Sequence, residues 1–122
     1  VPEDRLPEVI LSDEGAPPTV NDGGLTRRLR GVWSQNFGAD VFHQKKREGM
    51  GAEDFPYFTT DPYIPSTYFA VGGTPPAHFE REAAGGAPVP SHHSPLFRID
   101  PEPAVRLGTE ATVHALLELL QP

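Results

Sequence analysis

The run Tyr68-Phe69-Ala70-Val71-Gly72-Gly73 decides the reading of the fold. Aromatic and β-branched side chains suit a pleated, half-buried surface better than a helix. The paired glycines that follow mark a stop. The run therefore predicts a buried strand, and the segments on either side of it predict helices that cover it.

Toward the N-terminus, Leu25, Leu29, Val32/Trp33 and Phe37 recur at helical spacing and predict a helix over about 23–36. Asn21 and Asp22 precede it with short polar side chains that accept from orphan backbone N–H groups. Gly38 ends it, tolerating the left-handed position that stops helices. Trp33 and Phe37 read as core. The runs Ala39-Asp40-Val41-Phe42 and Val9-Ile10-Leu11 read as short strands. Between 43 and 66 periodicity is lost, apart from a helical turn near 54–59.

Toward the C-terminus, a Pro/Gly/Ala-rich connection carries a short helix over 76–83. The final helix runs from 101 to about 120, capped by Asp100, with Pro101 in its first turn. Its face of Val105, Gly108, Ala111, Ala115, Leu116 and Leu119 is small in its first half, which lets a helix lie close to a sheet. Two strand–helix units predict an α/β fold. Two or three strands rarely make a stable sheet, and the last helix is apolar around much of its circumference. The expectation is therefore an incomplete fold, part of a larger one.

Composition agrees. The 15 Pro and 12 Gly make up 27 of 122 residues, while seven Phe, three Tyr and one Trp argue against full disorder. Net charge is −7, and the longest basic cluster, Lys45-Lys46-Arg47, is too short and isolated to mark a nucleic-acid surface. The absence of Cys excludes disulfides and thiolate zinc sites, and allows a reducing compartment. No apolar stretch reaches the roughly 18–20 residues that span a bilayer. The opening Val-Pro-Glu-Asp-Arg has neither the basic start nor the apolar region of a signal peptide, and its lack of Met hints at a trimmed chain.

Two loops carry residues with chemistry. In Ser91-His92-His93-Ser94-Pro95-Leu96-Phe97, a neutral imidazole presented by a loop is a metal ligand, or else a surface histidine. A metal needs three or four ligands, and no second donor stands at i+3 or i+4 from this pair. In Gly49-Met50-Gly51-Ala52-Glu53-Asp54-Phe55, the paired carboxylates suit metal ligation or acid–base work. They equally suit the acidic start of a helical turn, stabilised by its dipole.

Taken in order, Pro18-Thr19-Val20-Asn21-Asp22, Gly51-Ala52-Glu53-Asp54-Phe55, Phe69-Ala70-Val71-Gly72-Gly73-Thr74, His93-Ser94-Pro95-Leu96-Phe97 and a closing Ala/Leu helix span nearly the whole chain. In that order they resemble the C-terminal portion of the co-catalytic metallopeptidase family, which includes hippurate hydrolase, auxin-conjugate amidohydrolases, aminoacylase and carboxypeptidase G. The resemblance implies a catalytic α/β domain of the zinc-peptidase type with an inserted lid. Residues 1–20 match the last strand of the lid, a dimerisation-type domain, and residues 21–122 the C-terminal part of the catalytic domain.

The implied activity is hydrolysis of the amide bond of N-acyl amino acids or small peptides. Two divalent ions, zinc or manganese, bridge and activate the water while a Glu serves as general base. By the same resemblance His93, directly before Ser-Pro, matches the family's C-terminal metal ligand, and His92 is its neighbour. Glu53 and Asp54 match an acidic pair that orients ligands and loops. Gly72 and Gly73 match a turn beside the site, and Asn21 and Asp22 a hinge between the domains. A homodimer through the lid and a cytoplasmic location also follow, with neither nucleic acid nor membrane as partner.

The chain departs from the family pattern in what it lacks. Its five His, at 43, 78, 92, 93 and 114, form neither a His-x-Asp nor a Cys-x-His pair. The bridging carboxylate and general base are missing too. The expectation is a catalytically inert chain that contributes to catalysis only within a complete protein. The competing expectation is a short non-enzymatic product or gene remnant acting as an interaction module.

Overall fold

Helix α1 (Gly23–Phe37) starts where Asp22, in extended conformation, accepts the Leu25 amide on its side chain at 2.7 Å. It stops where Gly38 adopts φ +84° and returns its N–H to the Ser34 carbonyl. Both ends therefore satisfy groups that a bare helix leaves unpaired. α2 spans Pro76–Ala83 and α3 Pro101–Leu119, each opening with Pro in its first turn. This computed structural model describes residues 1–43 and 53–121. The Lys45-Lys46-Arg47 cluster and Gly51-Ala52 lie outside the described residues.

The core is the contact between α1 and α3. Leu29 and Trp33 of α1 meet Ala111 and Ala115 of α3, all four buried. Leu25, Phe37 and Phe42 pack against this cluster from its rim. The small residues of α3 admit the indole so closely that Trp33 Nε1 donates to the Ala111 carbonyl at 2.9 Å. Arg28 ties the far end of the pair, donating to both the carboxylate and the carbonyl oxygen of Glu118. Its cation thus sits at the negative end of the α3 dipole.

The α/β expectation is corrected here. Among the described residues there are three α-helices, short 3-10 turns and no strand, so the fold is all-α. Each predicted strand fails for want of a neighbour to exchange backbone hydrogen bonds with. Val9-Ile10-Leu11 is 77–90% exposed and touches no ladder. Ala39-Asp40-Val41-Phe42 instead curls into a 3-10 turn over Ala39–Val41, closed by Val41 N–H to the Gly38 carbonyl and Phe42 N–H to that of Ala39.

Tyr68-Phe69-Ala70-Val71 is the closest to a strand. It lies in a stretch free of turns and bends from Ile64 to Gly73, and its Phe69 ring stands 4.8 Å from that of Trp33. Yet it is half-exposed rather than buried, with Phe69 at 40% and Val71 at 37%. The small stripe of α3, expected to lie against a sheet, is spent on α1 and on this lone segment. Val71 Cγ2 would come within 3.5 Å of a Cβ placed on Gly108.

The helical expectations agree with the structure. The turn expected near 54–59 is a 3-10 segment, Phe55–Phe58. Phe55 stacks on Tyr68 at 5.3 Å between ring centroids, which fixes this turn against the central segment.

The accessible surface is 10443 Å² for 13.3 kDa. A compact monomer of this mass exposes about 6,500 Å². Large apolar side chains left exposed include Val113, Leu116 and Leu117 on α3, Leu120 just after it, and Val9, Ile10 and Leu11 near the N-terminus. No helix among the described residues is long and apolar enough to cross a membrane.

Candidate functional site

The segment from Ser91 to Phe97 is held by its own backbone. Ser94 N–H donates to the Ser91 carbonyl and Phe97 N–H to the Ser94 carbonyl, while Ser94 Oγ accepts from Leu96 N–H. Two successive turns result, with Pro95 inside the second. At their start His92 and His93 stand side by side, ring centroids 4.3 Å apart and planes at 50°. Both residues are exposed, and neither imidazole has a hydrogen-bond partner among the described residues.

An open cleft of ≈ 600 Å³ runs past this loop. Its polar walls are Glu53, Tyr68, Thr74, Glu82, Ser91 and His92, and its apolar walls include Val71, Phe79, Val89 and Phe97. Two motifs far apart in sequence, through Glu53 and His92, thus reach one cavity, with the central segment as its floor. Glu82 is engaged there, accepting from Val89 N–H at 3.2 Å.

The structure does not bring every expected residue to this cleft. His92 lines it and His93 does not. Asp54 stands at the start of the 3-10 turn, its carbonyl accepting from Tyr57 N–H and its side chain making no cap. Gly72 faces open space. Gly73 sits where a Cβ would approach Ile99 Cγ2 to 3.0 Å, and its carbonyl accepts from Asp100 N–H at 2.8 Å. Its missing side chain therefore permits the join between the central segment and the start of α3.

Asn21 and Asp22 act together at the start of α1. The Asn21 amide grips the Tyr68 backbone at both ends, donating to its carbonyl at 2.9 Å and accepting from its N–H at 2.8 Å. Asp22 N–H donates to the Ser66 carbonyl at 2.8 Å. The Asp22 carboxylate caps α1 through one oxygen and accepts from the Tyr63 hydroxyl at 2.8 Å through the other. The Leu25 amide and then the Tyr63 hydroxyl hold this carboxyl below its ordinary value of 3.8. The same hydrogen bond to Asp22 raises the Tyr63 phenol above its ordinary 10.0.

Sequence reasoning placed a cap at Asp22 but missed its link to Tyr63 and the grip of Asn21 on Tyr68. Both contacts bridge more than 40 residues, and no local pattern announces them.

A divalent metal needs several donors converging on one point. Among the described residues no three His, Asp or Glu side chains gather in that way. The donors of the described residues alone therefore do not fit a mononuclear or dinuclear site. Comparison with protein-family models, curated proteins and solved structures finds no match for this chain in any of the three.

Proposed function

We propose that these residues serve a metal-dependent amidohydrolase that cleaves N-acyl amino acids or small peptides, acting only within a more complete protein. The observation that supports this reading is the convergence of Glu53 and His92 on one cleft, with His93 next to it in the chain, in the order of the resemblance drawn from the sequence. In this reading His93 donates one imidazole to a divalent metal whose other ligands lie outside these residues. Glu53 and Asp54 position the loop, Gly72 and Gly73 the floor of the cleft, and Asn21 and Asp22 the chain's entry into α1. The location proposed is cytoplasmic, in keeping with a chain free of Cys, and the complete protein pairs through its lid.

The test is hydrolysis of a panel of N-acyl amino acids by the complete protein before and after chelation. Loss of turnover on chelation and its return with zinc or manganese is the expected result. Turnover that ignores chelation, or none on any amide, removes the proposal. The second reading, a non-enzymatic interaction module, is favoured by the excess accessible surface, and it gains if no amide is cleaved.

A further inference from the structure

Phe69, Ala70, Val71 and Gly72 have no backbone hydrogen-bond partner among the described residues, although the stretch around them is free of bends. On one side of this gap Asn21 takes the Tyr68 backbone, and on the other Asp100 takes the Gly73 carbonyl. What remains is a row of donors and acceptors at the spacing of a β-strand, a template for another extended chain. Beside it opens a groove of ≈ 300 Å³ with Trp33, Phe37, Phe42 and Leu107 among its walls and Arg30 at its side.

The chain also carries an extended run that is equally unengaged. Val9, Ile10 and Leu11 are 82%, 77% and 90% exposed. The hydrogen bonds of residues 1–14 are local, from Arg5 N–H to the Pro2 carbonyl and from Glu14 N–H to Ser12 Oγ. The two elements match in charge. Residues 1–14 hold Glu3, Asp4, Glu8, Asp13 and Glu14 against a single Arg5. α1, which borders the groove, holds Arg27 and Arg30 besides the Arg28 already paired with Glu118, and no acid.

We propose that two copies of this chain pair by strand exchange, residues 8–13 of each adding along residues 67–72 of the other. Alternation places Val9, Leu11 and Asp13 on one face of the incoming run, over the groove that Arg30, Trp33 and Phe37 of α1 help to line, and Glu8, Ile10 and Ser12 on the other. Because each copy gives one run and receives one, the arrangement closes as a two-fold dimer. Each copy keeps its helical fold. The pairing does not rest on the catalytic reading, which instead gives residues 1–20 to the lid.

Sedimentation of the purified chain over a wide concentration range, together with amide hydrogen exchange, tests this. The expected result is a dimer in which the Phe69 and Val71 amides exchange slowly. Ile10→Pro removes a ladder donor from a segment with no contacts to lose. It should raise the dimer dissociation constant about tenfold or more and speed exchange at Phe69 and Val71, with Trp33 fluorescence unchanged. A monomer at every concentration overturns the proposal, whether or not those amides are protected. A dimer that Ile10→Pro leaves intact overturns it equally.

Discussion

The indole N–H of Trp33 donates to the backbone carbonyl of Ala111 across 2.9 Å, the one buried side-chain hydrogen bond joining α1 to α3. It is possible because Ala111 and Ala115 are too small to hold the helices apart. The contact sets both the distance and the rotation of the pair. It also orients the Trp33 face on which Phe69 rests, so the central segment inherits its position from it.

Trp33→Phe keeps a ring in the core but removes the donor, and should cost about 1 kcal/mol. Trp33→Ala opens a cavity and should cost about 3–5 kcal/mol, much of the margin of a domain this small. Urea unfolding followed by far-ultraviolet circular dichroism measures both, since Trp33 is the only tryptophan. Equal costs for the two variants would show that the hydrogen bond, not the packing, carries the contact.

The Asn21 side chain supplies what a neighbouring strand would give Tyr68. Asn21→Leu should cost about 1–2 kcal/mol, two exposed hydrogen bonds at the lower end of their range. It should also speed hydrogen exchange at the Tyr68 amide specifically. Unchanged exchange there would mean that Phe55 and Trp33 hold the segment without the clamp.

The Asp22–Tyr63 pair makes stability depend on pH at both extremes. The Asp22 carboxyl is lowered by the Leu25 amide first and the Tyr63 hydroxyl second, so its contribution is present above 3.8 and is lost as pH falls through the lowered folded value. The Tyr63 phenol is raised, so its contribution is present below 10.0 and is lost as pH rises through the raised folded value. Asp22→Asn keeps an acceptor for Leu25 and should flatten the acid limb in unfolding experiments between about pH 2 and 5. Tyr63→Phe should flatten the alkaline limb and only soften the acid one. The reverse pattern would contradict the assignment.

Unfolding should expose less new surface than in a compact protein of this size. From 10443 Å² folded and about 19,000 Å² for the unfolded chain, the urea m-value should be about 0.7 of that for a compact domain of equal length. The thermal transition should be correspondingly broad. A full-sized m-value with a sharp transition would mean that the apolar surface of α3 is covered in solution.

The sequence was legible wherever structure is local. The three helices follow from the spacing of Leu25, Leu29 and Trp33, from Asp22 and Gly38 at the ends of α1, and from the prolines that open α2 and α3. It misled where structure needs a distant partner. Tyr68-Phe69-Ala70-Val71 has the composition of a buried strand, but composition supplies no neighbour. In this chain the Asn21 amide and two helices take the place of a sheet. Of the candidate site, Glu53 and the His pair were visible as motifs, while the cleft that Glu53 shares with His92 was not. It depends on Phe55 stacking on Tyr68 and on the turns closed by Ser91 and Ser94. The choice between His92 and His93 rested on resemblance alone, and the geometry puts His92 in the cleft wall.

This chain by itself should bind zinc or manganese weakly, since one imidazole offers little chelation and no third donor converges among the described residues. Calorimetric titration should show no stoichiometric site. A tight one-to-one isotherm would point to a complete site within these residues.

The most direct test of the metal-dependent reading is the bound-metal content of the complete protein carrying His93→Ala or His92→Ala, measured together with its hydrolysis of an N-acyl amino acid. The account predicts that His93→Ala loses metal and about 100-fold or more in turnover, as expected when a metal-held group is removed, while His92→Ala retains its metal and most activity. Equal losses, or a loss confined to His92→Ala, would contradict the role given to His93.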